Sequence, residues 1–408
     1  MKKIVVAALS VIASAAHAGP LTYDQALREA VANTPGAAAT RAGIATAGDN
    51  ARAAGSLPDP RLSFGVDNFP VSGPPAFTFD RDNMTMARVG IQQDVPNLAK
   101  RHAAQAQARA AVTIAEAVQA TRLRQIRLGA GLAWIDLAYA QSRLAAIDAA
   151  LTRLRTLPAS SRSAVASGSA RPAQTLAVDQ AIAGVEDRRD TMIAAVARAR
   201  AMLTRWTGVA APDAIGTIPT PDFVPARLRA ALEHHPDIVS ADASVGRAEA
   251  DVTAARADKH PDFGFDVAYQ RRDPRYGDMV SAGVSISLPL FARSRQDPRI
   301  AARQSAAVQA DAEREDTRRS LAAELEAGLA DHQMHHAQWE RAHDVLLPLA
   351  RQRADLETAS YSAGRASLPD VIDMKTALTD AELTALDREA DVARDAVRLT
   401  ITFGSDDL

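Results

Sequence analysis

Asp262-Phe263-Gly264-Phe265-Asp266-Val267-Ala268-Tyr269-Gln270 is the stretch that decides the architecture. Its large apolar residues, Phe263, Phe265, Val267 and Tyr269, occupy every second position. A period of two places them all on one side of a strand, and Gly264, Asp266, Ala268 and Gln270 on the other. A second alternating run follows over 279–288, with Val280, Ala282, Val284, Ile286 and Leu288 in phase. The residues between, Arg271 to Asp278, are turn formers rich in Pro, Gly and Asp. Together these predict a β-hairpin over about 262–288 with one apolar and one polar face.

The same pattern stands earlier in the chain. Leu62, Phe64 and Val66, then Ala87, Val89, Ile91 and Gln93, predict a hairpin over about 61–95, joined through Asn68 to Asn83. The correspondence is in register. Leu27, Pro35, Ala53, Ala54, Pro60, Phe64 and Val66 recur 201 positions later as Leu228, Pro236, Ala254, Ala255, Pro261, Phe265 and Val267. Gly90 and Pro96 recur as Gly283 and Pro289, and Gly168 recurs as Gly364. A repeat of this size has to be recognised before any local reading. Each copy runs helix, hairpin, very long helix, glycine turn, returning helix. The helices are expected over 22–56, 98–157 and 172–206, then over 223–258, 295–357 and 368–402. The first repeat is assigned to 19–222 and the second to 223–408.

Composition agrees with long helices. Of 408 residues, 90 are alanine, densest over 103–120, 194–201 and 301–312. Alanine is the best helix former, and its small side chain lets helix axes approach. There is no cysteine, which excludes a disulfide scaffold and a thiolate metal site. The 47 basic and 49 acidic residues leave no basic excess for a nucleic-acid partner. Residues 1–18 read as a cleaved secretory signal: Lys2 and Lys3, the apolar stretch Ile4 to Ala16, then Ala16-His17-Ala18. With no cysteine behind that site, a lipid anchor is not expected. Beyond it there is no apolar run of about 18 residues, so a membrane-spanning helix is not expected either. Strands of about ten residues suffice to cross a bilayer, but four cannot close a barrel. A homotrimer would supply 12.

In this order and spacing the chain resembles the TolC-type outer membrane efflux proteins. The segment Tyr361-Ser362-Ala363-Gly364-Arg365-Ala366-Ser367-Leu368-Pro369-Asp370-Val371-Ile372-Asp373 is similar to the family's Y-x-x-G and D-V-hydrophobic-D turn. Leu21-Thr22-Tyr23-Asp24-Gln25-Ala26-Leu27 with Asn33-Thr34-Pro35 is similar to its opening. The short hairpins and Leu57-Pro58-Asp59-Pro60 look most like the CzcC-type heavy-metal branch. The resemblance implies an α-helical barrel joined to a transmembrane β-barrel that closes with 12 strands as a trimer. It implies a non-enzymatic duct without cofactor, in outer membrane lipid, partnered by a periplasmic adaptor and an inner-membrane RND-type pump. Heavy-metal cations would be the cargo, drugs or other small molecules the alternative. A periplasmic coiled-coil adaptor and a periplasmic metal-binding protein are the remaining classes.

Two constellations are candidate sites. Gly168 and Gly364 read as C-cap glycines of positive φ. Within the family they would lie at the periplasmic tip, with Tyr361, Arg365 and Asp370 as candidates for gating or adaptor docking. An Arg and an Asp there could hold a charged gate, or belong to an ordinary solvated turn. Four histidines, His332, His335, His336 and His343, crowd one predicted helix. His332 and His336 share a face at i, i+4, and His343 returns to it two turns on. That spacing suits a divalent transition metal, or a solvated or seam-facing stripe. No phosphate-binding loop or nucleophile elbow occurs.

Overall fold

The computed structural model describes residues 19–157, 173–219 and 221–404. In chain order these form β1 (Pro20–Leu21), α1 (Tyr23–Asn33), α2 (Pro35–Ala53), β2 (Arg61–Asp67), β3 (Met86–Val95), α3 (Leu98–Arg155) and α4 (Ala173–Thr207). Then follow β4 (Asp213–Ala214), α5 (Pro225–Ala231), α6 (Pro236–Ala257), β5 (Phe263–Arg271), β6 (Met279–Ile286), α7 (Ala292–Arg341), α8 (Leu347–Ser362) and α9 (Leu368–Phe403). The chain divides into two compact units. One draws on residues up to 39, 120–235 and 320 onward; the other on 40–119 and 236–319. Each unit therefore takes segments from both halves of the sequence.

Three of the expected helices are interrupted, and proline is the cause each time. Thr34, ahead of Pro35, is extended with ψ 124°, so the helix expected over 22–56 splits into α1 and α2. His235, ahead of Pro236, has ψ 134° and ends a 3₁₀ turn over Leu232–His234 between α5 and α6. Pro348 lacks an N–H, and its ring would crowd the carbonyl of Asp344. Here the helix widens into a π turn over Ala342–Leu346, where the Leu347 N–H bonds the Ala342 carbonyl.

In the first unit, α3, α4 and α9 bury a continuous apolar seam. Trp134, Ile135, Leu137, Tyr139, Leu203, Ala390, Ala393 and Val397 form one stretch of it. Ile147, Leu151, Leu154, Val178, Leu368, Val371 and Ile372 form the next. The fully buried Trp134 donates its indole N–H to the Leu21 carbonyl at 2.8 Å and meets the Tyr23 ring edge-on at 5.7 Å. Thr22 and Gln25 cap α1 reciprocally, a capping box that sets its start. Ion pairs flank the seam, among them Arg143–Asp387 (2.6 Å), Arg153–Glu382 (2.7 Å) and Arg394–Asp136 (2.8 Å). Only partly buried, such pairs orient helices more than they stabilise them.

The second unit is built on an antiparallel sheet of order β2-β3-β5-β6. Both sequence-predicted hairpins are present: β2 with β3 (Phe64 opposite Val89) and β5 with β6 (Phe265 opposite Val284). β3 joins them, with Val89 opposite Tyr269 and Ile91 opposite Val267. Among the described residues β2 and β6 pair on one side only, so the sheet has two open edges. Below it, Asn97 donates its backbone N–H and its side-chain amide to Asp262 Oδ1 at 2.8 and 2.9 Å. The same amide donates to the Ala257 carbonyl at 3.0 Å. Lys100 adds ion pairs to Asp262 (2.6 Å) and Asp258 (3.0 Å). This cluster ties the exit of β3 to the entry of β5.

Candidate functional site

The sheet is the first functional surface. The register puts Leu62, Phe64, Val66, Val89, Ile91, Phe263, Phe265, Val267, Tyr269, Val280, Val284 and Ile286 on one face. All of them are solvent-exposed, Phe64 to 73% and Val280 to 71%. The opposite face carries Arg61, Ser63, Asp67, Arg88, Gln92, Asp94, Asp266, Gln270, Ser281 and Ser285. Arg61 pairs with Asp94 on it, and Gln270 bonds Ser281 at 2.8 Å. Glycines sit where that face is tight: a Cβ on Gly283 would meet Asp266 Oδ1 at 2.5 Å. An apolar face this extensive, left uncovered, marks a contact with lipid or protein. Phe69, Phe77 and Phe79 cluster beyond one end of the strands, and the single ring of Phe291 is exposed beyond the other. Among the described residues no helix is long and apolar enough to cross a membrane.

The turn between α8 and α9 is the second. Gly364 has φ 71°, a left-handed conformation that leaves the helix without Cβ strain. Its N–H bonds the Tyr361 carbonyl (2.9 Å), and the Arg365 N–H bonds the Ser360 carbonyl (2.8 Å). Tyr361 is half-buried against the seam that holds Leu368 and Val371. Asp370 does not face Arg365. It accepts from the Ser367 backbone N–H (2.9 Å) and hydroxyl (2.6 Å), while Ser367 Oγ accepts in return from the Asp370 N–H, so the two cap α9. Those hydrogen bonds hold the Asp370 carboxyl below its usual range. Among the described residues no ion pair joins Arg365 to Asp370, because the carboxylate is taken by the cap, a pattern readable as Ser-x-x-Asp. Gly168 lies outside the described residues.

The four histidines are not brought together as one metal site. Among the described residues no group of three or more His, Asp or Glu side chains converges as a ligand set. His335 lies off the shared face and turns its Nδ1 to the buried Asp395, 2.6 Å away. His343 bonds Asp344 at 2.8 Å and stacks on Trp339. His332 and His336 remain neighbours, with ring centroids 6.1 Å apart. Burial lowers the pKa of His332.

With these surfaces described, the likeness to known proteins is specific. The model of the outer membrane efflux protein family matches residues 228–405. Among curated relatives, the cobalt-zinc-cadmium resistance protein CzcC of Cupriavidus metallidurans is 28% identical over 218 residues. The alignment covers 51% of this chain and spans about half (50%) of that relative's length. Solved outer membrane proteins share the fold across 94% of this chain. The outer membrane protein VceC of Vibrio cholerae has a TM-score of 0.79 at 19% identity, with 96% of its own chain covered. CusC has 0.79 at 16%, with 92% covered. The CmeC outer membrane channel of Campylobacter jejuni has 0.79 at 11%, with 85% covered.

Within this fold, some residues that organise the surfaces escape a linear reading. Asn97, Lys100 and Asp262 are far apart in sequence, and the one available hint is that Lys100 is among only five lysines. Asp395 is unremarkable until His335 is placed against it. Trp339 is not singled out by the sequence pattern, although its place one helical turn from His336 is the signal that could have found it.

Proposed function

We propose that this protein is the exit duct of a tripartite efflux system in the outer membrane. A periplasmic adaptor and an inner-membrane RND-type pump would deliver cargo to it, and the duct itself performs no chemistry. The observation that carries this reading is the two-faced, open-edged sheet. Its apolar face suits lipid and its polar face suits an aqueous lumen. Four strands leave two edges unpaired, and pairing them between three copies gives a closed barrel of about 12 strands, a size seen in membrane barrels. The alanine-rich stretch 301–312 is largely exposed in the single chain, which suits close packing against a neighbouring protomer's helices. The turn at Tyr361, Gly364, Arg365 and Asp370, with Gly168 in its counterpart, is assigned to the periplasmic tip. The kinship to CzcC supports heavy-metal cations as cargo.

Two measurements test this. Unboiled outer-membrane fractions should contain a trimer that dissociates on boiling; recovery as a soluble periplasmic monomer would contradict the duct. A strain lacking the gene should lose tolerance to cobalt, zinc or cadmium. Unchanged metal tolerance together with lost drug tolerance would move the cargo to organic molecules.

A further inference from the structure

A cleft of about 450 Å³ opens in the first unit beside α7, of a size that suits a small ligand. One wall is a run of rings. Phe223 meets His332 edge-on at 5.0 Å, His332 lies 6.1 Å from His336, and His336 meets Trp339 at 5.4 Å. Two carboxylates, Asp222 and Glu389, line the cleft, and among the described residues no Lys or Arg does; the nearby Arg394 is paired with Asp136 and Asp391. Tyr139 is nearly fully buried beside Glu389, and burial together with that neighbouring carboxylate raises its phenol pKa. His332 Nδ1 is buried without a hydrogen-bond partner among the described residues.

We infer that this cleft binds a small organic cation, an aromatic or alkyl ammonium, held by the ring faces and by Glu389 and Asp222. Aromatic faces attract a cation through their quadrupole, most strongly where it is shed of water. The two carboxylates supply the opposite charge and repel anions. A neutral ligand of the same shape would take water from those carboxylates and return nothing. A transition metal is disfavoured by geometry, because the site offers two imidazoles and no converging third ligand, short of the three or four protein ligands such ions take. The inference is independent of the exit-duct reading, since binding is measured on the purified chain without any transport.

The test is calorimetric titration of the full-length protein in detergent with benzyltrimethylammonium. Its uncharged carbon isostere, neopentylbenzene, and zinc chloride are run in parallel. The expected result is one saturable site per chain, with the isostere weaker by about tenfold or more. Trp339→Leu and the pair Glu389→Gln with Asp222→Asn should each weaken ammonium binding by about tenfold, while Trp339→Phe largely retains it. Unchanged helical circular dichroism and oligomeric state separate lost binding from lost folding. Equal affinity for the isostere, indifference to these substitutions, or no ammonium binding beside zinc binding that depends on His332 and His336 would each overturn the inference.

Discussion

At the scale of single residues, the placement of two side chains explains more than their type. His335 and Asp395 form a 2.6 Å contact in which the carboxylate is 7% exposed, with Arg398 at 3.6 Å as its other charged neighbour. Removing the imidazole leaves a buried carboxylate short of a hydrogen bond. His335→Ala is expected to destabilise the fold by about 2 kcal/mol, and His335→Ala combined with Asp395→Asn by less than the single change. Thermal unfolding followed by helical signal checks this double-mutant cycle. Gly129 is the other case. In a helix, glycine normally weakens the element, but here a Cβ would collide with the Trp206 ring. Gly129→Ala should therefore destabilise by about 1–3 kcal/mol through overpacking, although alanine is the better helix former. An unchanged or raised unfolding midpoint would show that the Trp206 ring moves aside freely.

At the scale of elements, the junctions carry the specificity. The cluster of Asn97, Lys100 and Asp262 joins two hairpins that are distant in sequence. Burial alone would push the Asp262 carboxyl up, but hydrogen bonds from Lys100 and Asn97 more than offset it and hold it below the usual aspartate range. The sign of the linkage follows. A carboxylate depressed in the folded state contributes fully above its unfolded value of about 3.9, and the contribution is lost as pH falls through the lower folded value. Asp262→Ala should loosen the exit of β3 and the entry of β5 by about 1 kcal/mol at neutral pH, a figure discounted for partial exposure. Faster amide exchange at Asn97 and Phe263, with the difference from the parent vanishing in acid, is the expected readout.

At the scale of the whole molecule, the sheet's two faces are the feature that an assembly must satisfy. Ile91 and Gln92 are neighbours on β3 and point to opposite faces. If the apolar face meets lipid, Ile91→Lys should cost about 2–4 kcal/mol near mid-membrane and lower trimer yield in the outer membrane, whereas Gln92→Lys should be tolerated. Equal yields for both would remove the lipid assignment from that face. The exposed small residues over 301–312 belong to the same argument, since an alanine face without a neighbour has no partner atoms to pack against.

Read along the chain, periodicity alone determined the hairpins, because a strand's facing depends on nothing but the alternation of its own residues. The same is true of the start of α1 at Thr22, where the capping chemistry lies within a few residues. The linear pattern led astray where a local rule competed with another: proline broke the helices expected over 22–56, 223–258 and 295–357. What only the tertiary structure decided was partnership over distance. It turned His335 toward Asp395 and away from His332, seated Trp206 over Gly129, and set Asn97 against Asp262. Those choices depend on which helix faces meet, and burial on packing, rather than local propensity, selects the faces.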